Sequence, residues 1–167
     1  QVSLVYLKLS YNHIESNELG SFERLHRLSD LHLILNNITR IERDTFRGLK
    51  RLELLDLASN RIEQVSSGAF SDTSQLKSLC LRGNRLTSFD LTCVLNGLET
   101  SLDILDLGRN HEMRSLEWTK RNAYRASVSQ LRKVIVSSGE HKRFIEQSPN
   151  LEYPFISLVK DTVVLVK

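Results

Sequence analysis

The chain has 167 residues, 40% of them hydrophobic and 26% charged, and this composition excludes a disordered polymer. Its net charge of +3 is too mild to point to nucleic acid without a local patch. No run of 18 apolar residues is present to cross a membrane as a helix, and no signal-peptide pattern precedes the first structured residues.

The first predicted element spans Leu4, Leu7, Leu9, Asn12 and Ile14, in the pattern L-x-x-L-x-L-x-x-N-x-I. It returns as Leu28, Leu31, Leu33, Asn36 and Ile38, then as Leu52, Leu55, Leu57, Asn60 and Ile62. The fourth copy is Leu76, Leu79, Leu81, Asn84 and Leu86, and the fifth is Leu102, Leu105, Leu107 and Asn110. The offset is 24 residues for the first four copies and 26 for the fifth. A period of this length describes a solenoid in which each coil must stack on its neighbours to bury its apolar face.

Within each copy, x-x-L-x-L predicts a short strand with the leucines inward and the intervening residues on the solvent face of a parallel sheet. The ladder Asn12, Asn36, Asn60, Asn84 and Asn110 is expected to satisfy backbone groups of adjacent coils at the turn. The return half carries Ile38, Ile41, Phe46 and Leu49, then Ile62, Val65 and Phe70. The first copy keeps Ile14, Phe22 and Leu25 but has Asn17 in place of the second aliphatic residue. The phenylalanines are expected to stack from coil to coil behind the strands.

A 24-residue repeat with asparagine at its ninth position and phenylalanine on the return resembles the typical subclass of extracellular leucine-rich repeats. Toll-like receptor ectodomains, small leucine-rich proteoglycans, Slit proteins and neuronal leucine-rich receptors share it. The resemblance implies an α/β leucine-rich-repeat solenoid: a curved right-handed coil with a parallel β-sheet on its concave face.

Beyond Leu86 the regularity loosens. The segment 89–98 is two residues longer than its counterparts, with Val94 near the phenylalanine position. Met113 and Leu116 keep the aliphatic pair, and Tyr124 stands where phenylalanine belongs in a longer coil. Leu131, Val134 and Val136 predict a sixth strand. Leu151, Pro154 and Ile156 suggest a seventh, weakened because proline lacks a backbone donor. The chain is thus read as one array over 1–167, with regular repeats over 4–116 and irregular repeats over 117–167. Such interruptions resemble Toll-like receptor ectodomains in particular. The apolar end Thr162–Val166 reads as unfinished, and neither end shows a polar cap, so a segment of a longer array is expected, with an intact short protein of unusual ends as the alternative.

Several residues carry chemistry. Asn37-Ile38-Thr39 is an N-glycosylation sequon at the edge of the concave face, expected to be exposed. Cys80 is expected to face solvent, and Cys93 to lie across the coil interior, so a disulfide between them is not expected. The row Lys8, His32, Asp56, Cys80 and Asp106 places His32 beside Asp56 and Asp56 beside Cys80. His32 and Cys80 are two coils apart, roughly 10 Å at the sheet spacing. That is beyond hydrogen-bond reach for a nucleophile and its base. No spacing suits zinc and no glycine-rich loop suits phosphate, so neither catalysis nor a cofactor is expected.

The projecting side chains instead make a candidate binding surface: Tyr6, Lys8, Tyr11, His13, His32, Asp56, Arg61, Arg82, Arg85, Asp106, Arg109 and His111. The bland alternative is an ordinary solvated face. A second basic cluster, Lys120, Arg121, Arg125, Arg132 and Lys133, sits in a segment, 117–143, with an excess of +5. It is a candidate polyanion or nucleic-acid contact, more often a solvated edge, and it lacks the aromatics of a single-strand reader. The resemblance implies an extracellular or endosomal receptor segment that binds a protein or microbial ligand and pairs as a homodimer or heterodimer. The alternative is a secreted matrix, guidance or adhesion protein serving as a scaffold.

Overall fold

A computed structural model describes residues 3–16, 21–98, 100–117, 133–137, 155–159 and 162–166. Each L-x-L core forms a three-residue strand: β1 (Tyr6–Lys8), β2 (Asp30–His32), β4 (Leu54–Asp56), β6 (Ser78–Cys80) and β8 (Ile104–Asp106). They pair in parallel with Leu7, Leu31, Leu55, Leu79 and Leu105 in one row. The alternation of a strand sends this central leucine inward and its neighbours outward. Leu31, Leu55, Leu79 and Leu105 are accordingly fully buried, and Leu7, in the first coil, is partly so.

The return side is built from turns and short strands. β3 (Arg40–Ile41) pairs in parallel with β5 (Gln64–Val65), and β7 (Ser88–Asp90) with β9 (Ser115–Glu117). α-Helix among the described residues is confined to α1 (Leu91–Val94), within the lengthened segment. Phe89 takes the second aliphatic position there, opposite Leu116, and both are buried; Val94 is buried too. Phe46 and Phe70 stack with ring centroids 5.8 Å apart and planes 9° from parallel. That stack fills the space behind the strands, where no single coil supplies enough apolar surface.

The sixth strand is β10 (Lys133–Ser137), parallel to β8, with Val134 and Val136 buried. Parallel order ends there. β11 (Phe155–Val159) contains Ile156 but does not continue the array as a seventh parallel strand. It pairs antiparallel with β12 (Thr162–Val166), and β12 lies between β10 and β11 in the sheet. The apolar stretch that reads as unfinished is therefore a paired strand, and its run of valines suits a pleated surface. Leu131, Leu151 and Pro154, with Asn17 and Tyr124, lie outside the described residues.

Candidate functional site

The asparagine ladder fixes the edge of the sheet face. Asn36 donates through Nδ2 to the Leu9 and Leu33 carbonyls, at 3.0 Å each, and its Oδ1 accepts the Ile14 N–H at 3.0 Å. Asn60 does the same with Leu33, Leu57 and Ile38, and Asn84 with Leu57, Leu81 and Ile62. Asn110 does so with Leu81, Leu107 and Leu86. All four are buried, and each ties its own coil to the preceding one. Asn12 is exposed and donates to Leu9 and Ser10 of its own coil.

The residue before each ladder asparagine must turn the chain, and it does so with positive φ: Tyr11 (62°), Leu35 (55°), Ser59 (55°), Gly83 (67°) and Arg109 (58°). Glycine reaches this left-handed region without strain, whereas a side chain there costs roughly 1–2 kcal/mol. Gly83 alone meets the demand freely. Tyr11 and Leu35, in adjacent coils, do not, yet they remain 73% and 43% exposed. Tyr6 is 54% exposed, and its ring meets that of His32 at 5.1 Å. Leu35 was absent from the sequence-derived surface; the leucine composition hid it, because only its position before Asn36 marks it as outward.

The rest of the surface divides by charge. The strand row pairs Lys8 with His32, His32 with Asp56, Asp56 with Cys80 and Cys80 with Asp106 in register. Asp56 accepts the Ala58 N–H at 3.0 Å and shares a hydrogen bond with Cys80. The ring contact of His32 is with Tyr6. Cys80 is a free thiol and is half-buried, not open to solvent as its position between two leucines suggests. Burial pushes its pKa from 9.0 up to about 12, Asp56 and Asp106 add to the rise, and a backbone hydrogen bond with Arg82 opposes it. A thiol held protonated is a poor nucleophile. Arg82 lies 3.9 Å from Asp106, a partly exposed ion pair.

Beside this acidic strand row run His13, Arg61, Arg85 and His111, all exposed, and Arg109 stands exposed next to them. Asn37 occupies the same row. It is half-buried rather than open, while Thr39 of its sequon is exposed. Of the second basic cluster, Lys120, Arg121, Arg125 and Arg132 lie outside the described residues, and Lys133 is described only as backbone in β10. Among the described residues no cluster of His, Cys, Asp and Glu is arranged to hold a metal, and no helix is long and apolar enough to cross a membrane.

The leucine rich repeat family model matches residues 27–86 and 51–111, which together take in the second to fifth copies of the repeat. No curated protein gives a significant match.

Proposed function

We propose that this chain, which belongs to the leucine-rich-repeat family, binds a protein or microbial ligand through the outer face of its long sheet. The repeats support protein binding; the choice of face rests on Tyr11 and Leu35. These two bulky, apolar side chains stand exposed in adjacent coils on a strained backbone. Strain kept beside exposed apolar surface, where glycine or asparagine would relieve it, is the mark of a contact residue rather than a packing one. Tyrosine adds a large amphipathic contact at low entropic cost.

The setting we propose is the lumenal or extracellular part of a Toll-like receptor, where ligand binding would favour a homodimer or heterodimer. The 24-residue period followed by irregular coils supports it. A secreted leucine-rich-repeat scaffold would use the same face without pairing. The test is binding of the purified chain to an array of secreted and cell-surface ectodomains, repeated with Tyr11→Ser/Leu35→Ser. A ligand whose affinity falls about tenfold or more with the double variant supports the sheet face. Undiminished binding moves the site elsewhere. Ligand-induced pairing in light scattering supports the receptor reading, and a persistent monomer supports the scaffold.

A further inference from the structure

The sides of the first coils carry a second feature, away from the sheet face. An open hollow of about 620 Å³ lies where the second coil runs on toward the strand of the third, lined by His26, Arg47, Lys50 and Arg51, with Glu23 and Asp72. Its floor is Gly48, at φ 82°, set so close to the first coil that a Cβ would collide with the Glu23 carbonyl oxygen. The two acids are already engaged. Asp72 accepts the Gly48 N–H at 3.0 Å, and Glu23 faces Arg47 at 3.6 Å. Lys50 and Arg51 are exposed and have no ion-pair partner among the described residues. The 24-residue offset sets Arg27 beside Arg51 and His26 beside Lys50 in the adjoining coil.

We infer that this hollow is an anion site for a sulfated polysaccharide. Its cations Arg47, Lys50 and Arg51 sit on one coil, Arg27 adjoins Arg51 from the coil before, and strands of such a sheet are spaced by about 4.8 Å. An extended polyanion lying across the coils meets several of them together. Long, exposed Lys and Arg side chains adapt to sulfate groups without a shaped pocket. The lining offers no Phe, Tyr or Trp on which bases would stack, which disfavours single-stranded nucleic acid. The site is independent of Tyr11 and Leu35, so it stands or falls apart from the sheet-face reading.

The test is retention of the chain on immobilised heparin, compared with Lys50→Glu/Arg51→Glu and with Arg40→Glu/Arg114→Glu. Both variants change net charge equally, and the second pair lies outside the lining. The expected result is that only the hollow variant elutes at lower salt, with affinity for a heparin oligosaccharide reduced about tenfold. Desulfated heparin should fail to compete. Equal shifts in the two variants, unchanged retention of the hollow variant, or competition by single-stranded DNA as strong as by heparin would each overturn the assignment. If the charge reversal disturbs the melting curve, Lys50→Gln/Arg51→Gln supplies the same comparison.

Discussion

Asn84 and Ile62 are joined across a coil boundary: Asn84 Oδ1 accepts the Ile62 backbone N–H at 3.0 Å while its Nδ2 donates to Leu57 and Leu81. The two carbonyls also accept from Asn60 and Asn110, so the Ile62 N–H is the group that rests on Asn84 alone among the described bonds. Asn84→Ala leaves the Ile62 N–H unpaired, at about 1–3 kcal/mol where water cannot reach it, and removes one of two donors from each carbonyl. Asn12→Ala removes bonds that are exposed and confined to one coil, so its cost should fall well below that. Urea unfolding midpoints of the two variants check this. Equal losses would mean that the ladder does not couple the coils.

The Phe46–Phe70 stack makes a parallel prediction for the back of the solenoid. Phe70 is fully buried, and Phe70→Ala should cost about 3–5 kcal/mol through the cavity it leaves. Leu57 is equally buried, and Leu57→Asp should unfold the array, since no buried cation among the described residues meets the charge. A cooperative thermal transition retained by Leu57→Asp would refute the repeat register itself.

Periodicity made the sheet legible, because each copy fixes leucine, asparagine and phenylalanine positions at once. It made Asn36, Asn60, Asn84 and Asn110 legible for the same reason. It could not reach β11 and β12, whose antiparallel pairing depends on a local hairpin rather than on a repeat. Leu35 was missed because identity alone suggests a core residue; its positive φ is a property of the turn. The hollow around Gly48 was missed because its lining comes from three coils and converges only when those coils stack.

Cys80 gives a pH prediction. Its folded pKa is raised above the unfolded value, so unfolded chains lose the thiol proton first as pH rises. The stability tied to the protonated thiol is fully present below pH 9.0 and is lost as pH climbs toward about 12. Native Cys80 should therefore alkylate slowly at neutral pH, and its rate should keep rising well above pH 9.0. Asp56→Asn should lower the midpoint by removing one of the causes of the rise. A rate profile levelling near pH 9.0 would show the thiol to be effectively solvated.

Asn37 is proposed as a glycan acceptor, and its half-burial makes the outcome informative. Secretion from a eukaryotic cell should add a glycan-sized mass that Asn37→Gln abolishes and a glycosidase removes. If the side chain stays unmodified in secreted protein, the half-buried row is closed to the transferase. The basic residues beside it would then be open to ligand without an overlying sugar.

Leu35 separates display from packing. At φ 55° its side chain costs roughly 1–2 kcal/mol of backbone strain, and the chain is 43% exposed there. Leu35→Gly relieves the strain but loosens the unfolded chain, an opposing effect of about 0.4–1 kcal/mol. The two nearly cancel, so the urea midpoint should move little in either direction. A residue that packs into the core behaves otherwise: truncating a buried leucine costs about 2–5 kcal/mol. A large loss of stability in Leu35→Gly would therefore place Leu35 in the core and remove the main support for the sheet-face site. A near-neutral variant that loses its ligand would tie the strained turn to binding.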